Sequence, residues 1–350
     1  MHQFFKRLNL AAEAVSSFAH AAAHSAPPVA VGLFLIAVVL ACRPGANPPA
    51  TFRVAFLTDV GGLGDRGRND MVWRACQHLV EETPGRAVKV ECRVPTSSAD
   101  GRDYIRAAAR SADIVVVAAP WWEADVGAAA RLYPRTKFLV VGGRGGGGNV
   151  KALSFPAFEA GYLMGVAAAA AVPAGGYGFI GGREDDAARA LASGYAAGVR
   201  AEGGGPSFNA VYLGRGLVAS LDDEAAGREA AALFDRGAAV IFAAAGPANN
   251  KIAAVAKDKG KFIIGFESNQ NYLERGHVIT SLNIRWDDVV YEELKAAADG
   301  RFEGGVRAIP IASDLIAYPI DANNRALIPA AAVRKIEAAR QELAALEGGA

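Results

Sequence analysis

At 350 residues the chain is longer than one hydrophobic core usually supports, so two lobes are the expectation. A net charge of +1 removes the electrostatic case for nucleic-acid binding, and no Cys/His cluster has metal-ligand spacing. Hydrophobic residues make up 52 % of the chain, swollen by alanine, and in the interior they alternate with charge as in a soluble protein.

Residues 29–41 (VAVGLFLIAVVLA) form an uncharged run too short to span a bilayer comfortably but sized for a signal-peptide core. The run stops at Cys42, and residues 39–42 (VLAC) place a small residue before cysteine, as a lipoprotein cleavage box requires. On this reading residues 1–42 are a leader, Cys42 carries the lipid, and 43–51 tether the protein to the membrane of the cell envelope. An ordinary signal peptide or short anchor, with Cys42 incidental, is the alternative. Lys6 and Arg7 lie far ahead of the apolar run, so either the leader is long or the true start lies further in.

Strands and helices then alternate. Residues 53–58 read as an apolar strand, followed by a glycine turn and, from Asn69, a helix with Met71, Val72, Ala75 and Leu79 on one face. Strands are predicted at 88–94, 113–119 and 137–142, with helices at 104–111, 124–132 and 158–171. The run 142–148 (GGRGGGG) reads as a flexible connection, and 173–176 (PAGG) as the first candidate hinge. The second series places strands at 177–180, 210–213, 239–244, 261–266, 278–282, 309–312 and 315–318. Its helices are 187–201, 222–236, 252–259 and 287–299, with a surface helix at 329–346. Continuous rather than alternating apolar strands between helices indicate parallel sheets covered on both faces, in an α/β fold. The expected partition is 52–173 plus 282–308 for lobe 1 and 174–281 plus 309–350 for lobe 2. Cys76 and Cys92, on a neighbouring helix and strand, are a disulfide or two buried thiols.

Ligands of such sheets bind past the carboxyl ends of the strands. The turn of residues 53–69 (RVAFLTDVGGLGDRGRN) is such an end. Gly62, Gly64 and Gly67 fit the dinucleotide fingerprint, but Asp59 and Asp65 would repel a pyrophosphate, and no acid follows the second strand to hold a ribose. Strand-end carboxylates suit hydrogen-bond donors instead: sugar hydroxyls, amines or ring N–H groups. Trp121 and Trp122 follow another strand end, where they either face a planar ligand or pack on the sheet edge. No catalytic arrangement emerges.

Several segments, taken in order, resemble the basic membrane protein family, which includes the purine-nucleoside receptor lipoproteins of ABC transporters. Residues 58–70 (TDVGGLGDRGRND) are similar to its opening motif, and 155–165 (FPAFEAGYLMG) to its next block. Residues 178–182 (GFIGG), 194–199 (GYAAGV), Ala245-Gly246, 264–270 (IGFESNQ) and 278–281 (VITS) resemble the later blocks. The resemblance implies a type I periplasmic binding protein: two Rossmann-like lobes, three crossovers and a ligand cleft between them. It carries ligand contacts to Asp59, Asp65, Asn69, Glu159, Gly246 and Glu267. This sequence departs from the family in having Arg68 for a base-stacking phenylalanine, Leu191 for the phenylalanine near the start of the second-lobe helix, Asn269 for an acid and Ile284 for a lysine.

The reading is thus a lipid-anchored receptor of an ABC importer, partnered by a permease and ATPase. It takes a nucleoside-like ligand without a cofactor, with Arg68 and Trp122 flanking the ring. Asp65 could instead cap the helix, and Glu159 could be structural. The rival is a surface lipoprotein of the same fold with a signalling or adhesion role; a secreted Rossmann-type enzyme lacks its ribose acid.

Overall fold

The computed structural model describes residues 51–83, 87–203 and 207–348, so the leader, Cys42 and most of the tether lie outside the described residues. The first sheet contains β1 (Phe52–Leu57), β2 (Val88–Arg93), β3 (Ile114–Val117), β4 (Lys137–Val141), β5 (Val150–Ser154) and β11 (Gly305–Ala308). The second contains β6 (Gly176–Arg183), β7 (Phe208–Gly214), β8 (Ala238–Ala244), β9 (Phe262–Glu267), β10 (Val278–Ile284) and β12 (Ile316–Ala317). Their orders are β11-β5-β4-β3-β1-β2 and β12-β10-β9-β8-β6-β7. Every pairing is parallel except β12 against β10. The central strand β3 (IVVV) is buried throughout, as a strand covered on both faces must be, whereas β2 (VKVECR) alternates half-buried and exposed at its edge position.

The helices are α1 (Arg68–Glu81), α2 (Ser98–Ala108), α3 (Glu123–Leu132), α4 (Ala157–Ala171), α5 (Asp186–Ala201), α6 (Asp223–Asp235), α7 (Asn249–Asp258), α8 (Trp286–Ala298) and α9 (Ala330–Gly348). Helix α4 lies on the second lobe, against α5, and small residues permit the approach. A Cβ on Gly161 or Gly165 would strike the backbone of α5, and one on Gly194 or Gly198 the backbone of α4. The glycines at four-residue spacing in two of the family-like blocks therefore join these helices and do not face a ligand.

This packing corrects the expected first boundary. The chain leaves the first sheet at Phe155–Pro156, before α4, rather than at the 173–176 break. It returns at Arg285, between β10 and α8, so residues 282–284 belong to the second sheet. It crosses a third time between β11, on the first sheet, and β12, on the second. Leu282, Ile284 and Trp286 belong to one apolar cluster drawing on both sheets, with Phe155 packed against it, so the crossings run through a core.

Two strands lay hidden in the sequence. Strand β5 (VKALS) carries Lys151, whose ammonium pairs with Glu293 at 3.1 Å. Strand β11 (GVRA), found in place of the expected 309–312, carries Arg307, which pairs with Glu292 and Glu293 of α8. The interrupting charges are neutralised by another element, which no local apolar pattern records.

Candidate functional site

The turn after β1 spends most of its acids on its own backbone. The Asp65 carboxylate accepts from the N–H groups of Gly67 at 2.8 Å, Asn69 at 3.1 Å and Asp70 at 3.1 Å, closing the N-terminus of α1. Burial pushes its carboxyl up, those three hydrogen bonds pull it down, and neighbouring Asp59 adds to the upward push. Asp70 accepts from Gly64 N at 2.7 Å and Arg66 N at 2.9 Å. Asn69 is fully buried behind Asp59: its Oδ1 accepts from Asp59 N at 2.9 Å and its Nδ2 donates to Asp59 Oδ1 at 2.6 Å. Gly61 N donates to the same oxygen at 2.7 Å, while the other Asp59 oxygen has no donor among the described residues.

Arg68, the first residue of α1, reaches the opposite lobe. Its guanidinium donates to Ala118 O at 3.2 Å, lies 5.7 Å from the Trp286 ring and forms an ion pair with Glu267 at the end of β9. Glu267 has φ +71°, a conformation costly for a side-chain-bearing residue, which turns the chain sharply at the strand end. A polar network anchors the following loop. Gln270 Oε1 accepts from Asn249 at 3.0 Å, and Ser281 Oγ accepts from Gln270 N at 2.9 Å while donating to Asn271 at 2.9 Å. Burial pushes the Glu267 carboxyl up, Arg68 opposes that shift, and Asp59 and Asp65 add to it.

Between the lobes lies a cavity of about 110 Å³, walled by Asp59, Arg68, Trp121 and Phe155 from one side of the cleft and by Arg183, Leu191, Gly246 and Glu267 from the other. It adjoins a pocket of about 210 Å³ that shares Trp121, Gly142, Arg183 and Asp185 and extends to Glu123 and Arg144. Further bridges cross the cleft: Ser268 Oγ donates to Arg66 O at 2.6 Å, Arg144 faces Asp186 at 3.7 Å, and the Arg183 guanidinium sits 5.2 Å from the Trp121 ring. Among the described residues no group of His, Cys, Asp and Glu could hold a metal ion.

Of the residues singled out from the sequence, Asp59, Arg68, Gly246 and Glu267 line the cavity, and Asn69 stands behind Asp59. Asp65 is a helix cap outside the cavity wall. Glu159 sits in the first turn of α4 and does not line it. Trp122 is corrected: its ring is only 1 % exposed in the first-lobe core and covers Gly101, where a Cβ would collide with it. Its neighbour Trp121 faces the cavity instead. Arg183 and Phe266 were missed although both stand at carboxyl ends of strands, the signal that identified Asp59.

The family described as ABC transporter substrate-binding protein, PnrA-like, matches residues 52–315. Curated relatives include an uncharacterized lipoprotein of Pyrococcus abyssi, 26 % identical over 307 residues, covering 82 % of this chain and 75 % of that one. Another is the ABC transporter nucleoside-binding protein BmpA of Lactococcus lactis, 25 % identical over 303 residues, covering 79 % of this chain and 85 % of that one. Among solved structures, an ABC transporter solute-binding protein of Aeropyrum pernix superposes with a TM-score of 0.71 at 23 % identity, covering 83 % of this chain and 86 % of that one, a likeness of fold.

Proposed function

The chain belongs to the PnrA-like family of ABC transporter substrate-binding proteins, and from that premise we propose that it is a lipid-anchored receptor for a nucleoside or similar small polar ring compound. The family is one of binding proteins, so the chain is not an enzyme. The observation that carries the ligand reading is the cavity between the lobes, where Asp59 and Glu267 stand at strand ends facing Trp121, Phe155 and Phe266. Asp59 keeps one carboxylate oxygen uncommitted for a sugar hydroxyl, and the aromatic side chains offer apolar surface to a ring. At about 110 Å³ the inner cavity lies below the roughly 300 Å³ usual for small-molecule sites, so entry requires the lobes to part and close again on the ligand. Delivery of the released ligand to a permease and ATPase follows from the role of such receptors.

The anchor rests on the VLAC segment ending at Cys42 and on relatives named as lipoproteins. Among the described residues no helix is long and apolar enough to cross a membrane. Cys42→Ala should abolish incorporation of labelled fatty acid.

Native mass spectrometry of the gently purified protein from Arg43 onward, followed by nucleoside titrations read by tryptophan fluorescence, tests the ligand. A retained mass in the nucleoside range, or saturable quenching by a nucleoside, is the expected result. An empty protein that ignores every nucleoside would sink the reading. It would favour a surface lipoprotein whose cleft is closed by its own Arg68–Glu267 pair.

A further inference from the structure

The cavity wall holds donors that the protein itself does not satisfy. The side chain of Arg183, at the end of β6, makes no hydrogen bond or ion pair among the described residues, and its guanidinium lies 5.2 Å from the Trp121 ring. Trp121 Nε1 and Arg68 Nε are buried without an acceptor. The carboxylates nearby make contacts of their own, although Asp59 and Asp185 each keep one oxygen without a donor among the described residues. Asp185 caps α5 through Ala188 N at 2.9 Å, Asp186 pairs with Arg189 at 2.6 Å, and Glu123 accepts from Arg144 N and Gly145 N at 2.5 Å each. Arg68 and Glu267 neutralise one another. A buried donor without a protein partner needs an acceptor from outside the chain, a water or a ligand group, and the two on this wall stand beside Arg183.

A guanidinium over an aromatic face keeps its N–H groups available, and its planar fork can grip a carboxylate or phosphate with two parallel hydrogen bonds. Trp121 and Arg183 line both compartments of the cleft, whereas Asp59 lines only the inner one. We infer that Arg183, whose guanidinium lies over the Trp121 ring, is a specificity-determining residue for an acidic group on the ligand, so that the receptor takes a nucleoside-like compound bearing a phosphate or a carboxylate. This rests on the receptor reading above. In such a complex a ring hydroxyl donates to Asp59 in the inner compartment and the acidic group accepts from Arg183, with Trp121 Nε1 as a further donor.

The test is a titration of the protein from Arg43 onward with adenosine, adenosine 5′-monophosphate and adenosine 5′-carboxylate, and with the uridine equivalents, read by calorimetry. The expected result is tighter binding of an acidic compound than of its parent nucleoside. Arg183→Gln should cost that acidic compound at least about tenfold, the factor a charged hydrogen bond supplies, while the nucleoside changes less than about twofold. Arg183→Lys, which keeps the charge but not the planar fork, should recover part of the loss. Preference for the monophosphate identifies a phosphoryl group, and preference for the carboxylate an acid of that kind. An unchanged melting temperature shows that each variant is folded. Nucleosides binding as tightly as their acidic derivatives, or Arg183→Gln weakening all equally, would overturn the inference and leave the receptor standing. Binding of none of them would overturn both.

Discussion

Replacing Arg68 by leucine removes the one guanidinium that faces Glu267 across the cleft. Two unit charges about 4 Å apart attract by roughly 4 kcal/mol at an effective dielectric of about 20. Breaking a fully buried pair costs about 3–5 kcal/mol, and breaking an exposed one about 1 kcal/mol or less. The Arg68 and Glu267 side chains are 13 % and 15 % exposed, close to the buried limit but still touched by solvent. A coupling of about 2–3 kcal/mol is therefore expected from a cycle of Arg68→Leu, Glu267→Gln and the double variant, measured by urea unfolding with tryptophan fluorescence.

The cost has a defined pH dependence. Burial raises the folded-state value of the Glu267 carboxyl above its unfolded one, so between the two the folded chain holds a proton that the unfolded chain releases. The contribution of this group to stability is thus greatest below the unfolded value and falls as pH rises through the folded one. Arg68 opposes the shift, so its loss widens that window. Arg68→Leu should cost least in mild acid and most at neutral pH, and Glu267→Gln should remove that slope. A coupling below about 0.5 kcal/mol, or a cost of Arg68→Leu indifferent to pH, would refute the pair as a bond between the lobes.

The adjacent tryptophans should separate cleanly. Trp122→Ala deletes a core ring and should destabilise the first lobe by about 3–5 kcal/mol, visible in the urea midpoint. Trp121→Ala should leave the midpoint near wild type and weaken ligand binding by about 1–3 kcal/mol; the opposite pattern would reverse their roles. The structure holds Cys76 and Cys92 as free thiols. Burial pushes the Cys76 thiol far up and the Cys92 thiol up to about 11, so in mildly alkaline buffer a thiol reagent should label half-buried Cys92 slowly and Cys76 only once the chain unfolds. Rapid labelling of Cys76 in the folded protein, located by peptide mapping, would show that the helix–strand contact covering it opens.

Much of this protein was legible along the chain because its signals are local. Continuous apolar runs such as IVVV and KFLVV declare strands covered on both faces, since only burial tolerates them. The carboxyl ends of those strands are where such sheets offer a cleft, and Asp59, Arg68, Gly246 and Glu267 line one cavity there. The family-like blocks at Gly161, Gly165, Gly194 and Gly198 were equally plain to see, but their purpose was not. It is to let α4 and α5 touch, a fact about a pair of helices that neither helix carries alone.

What the tertiary structure decided were relations between distant residues. Whether Asp65 meets a ligand or caps a helix depends on three amide groups turned toward it. Which of two consecutive tryptophans enters the core depends on the space left above Gly101, a residue of another helix. Lys151 and Arg307 could sit in strands because Glu292 and Glu293 wait on α8. Arg68 finds its partner 199 positions away along the chain, at Glu267. A side chain's hydrogen-bonding capacity is a property of its type and can be read in the sequence. Whether that capacity is already spent inside the protein, as at Asp65, or left over, as in the Arg183 side chain, is decided only when the fold brings the partners within reach.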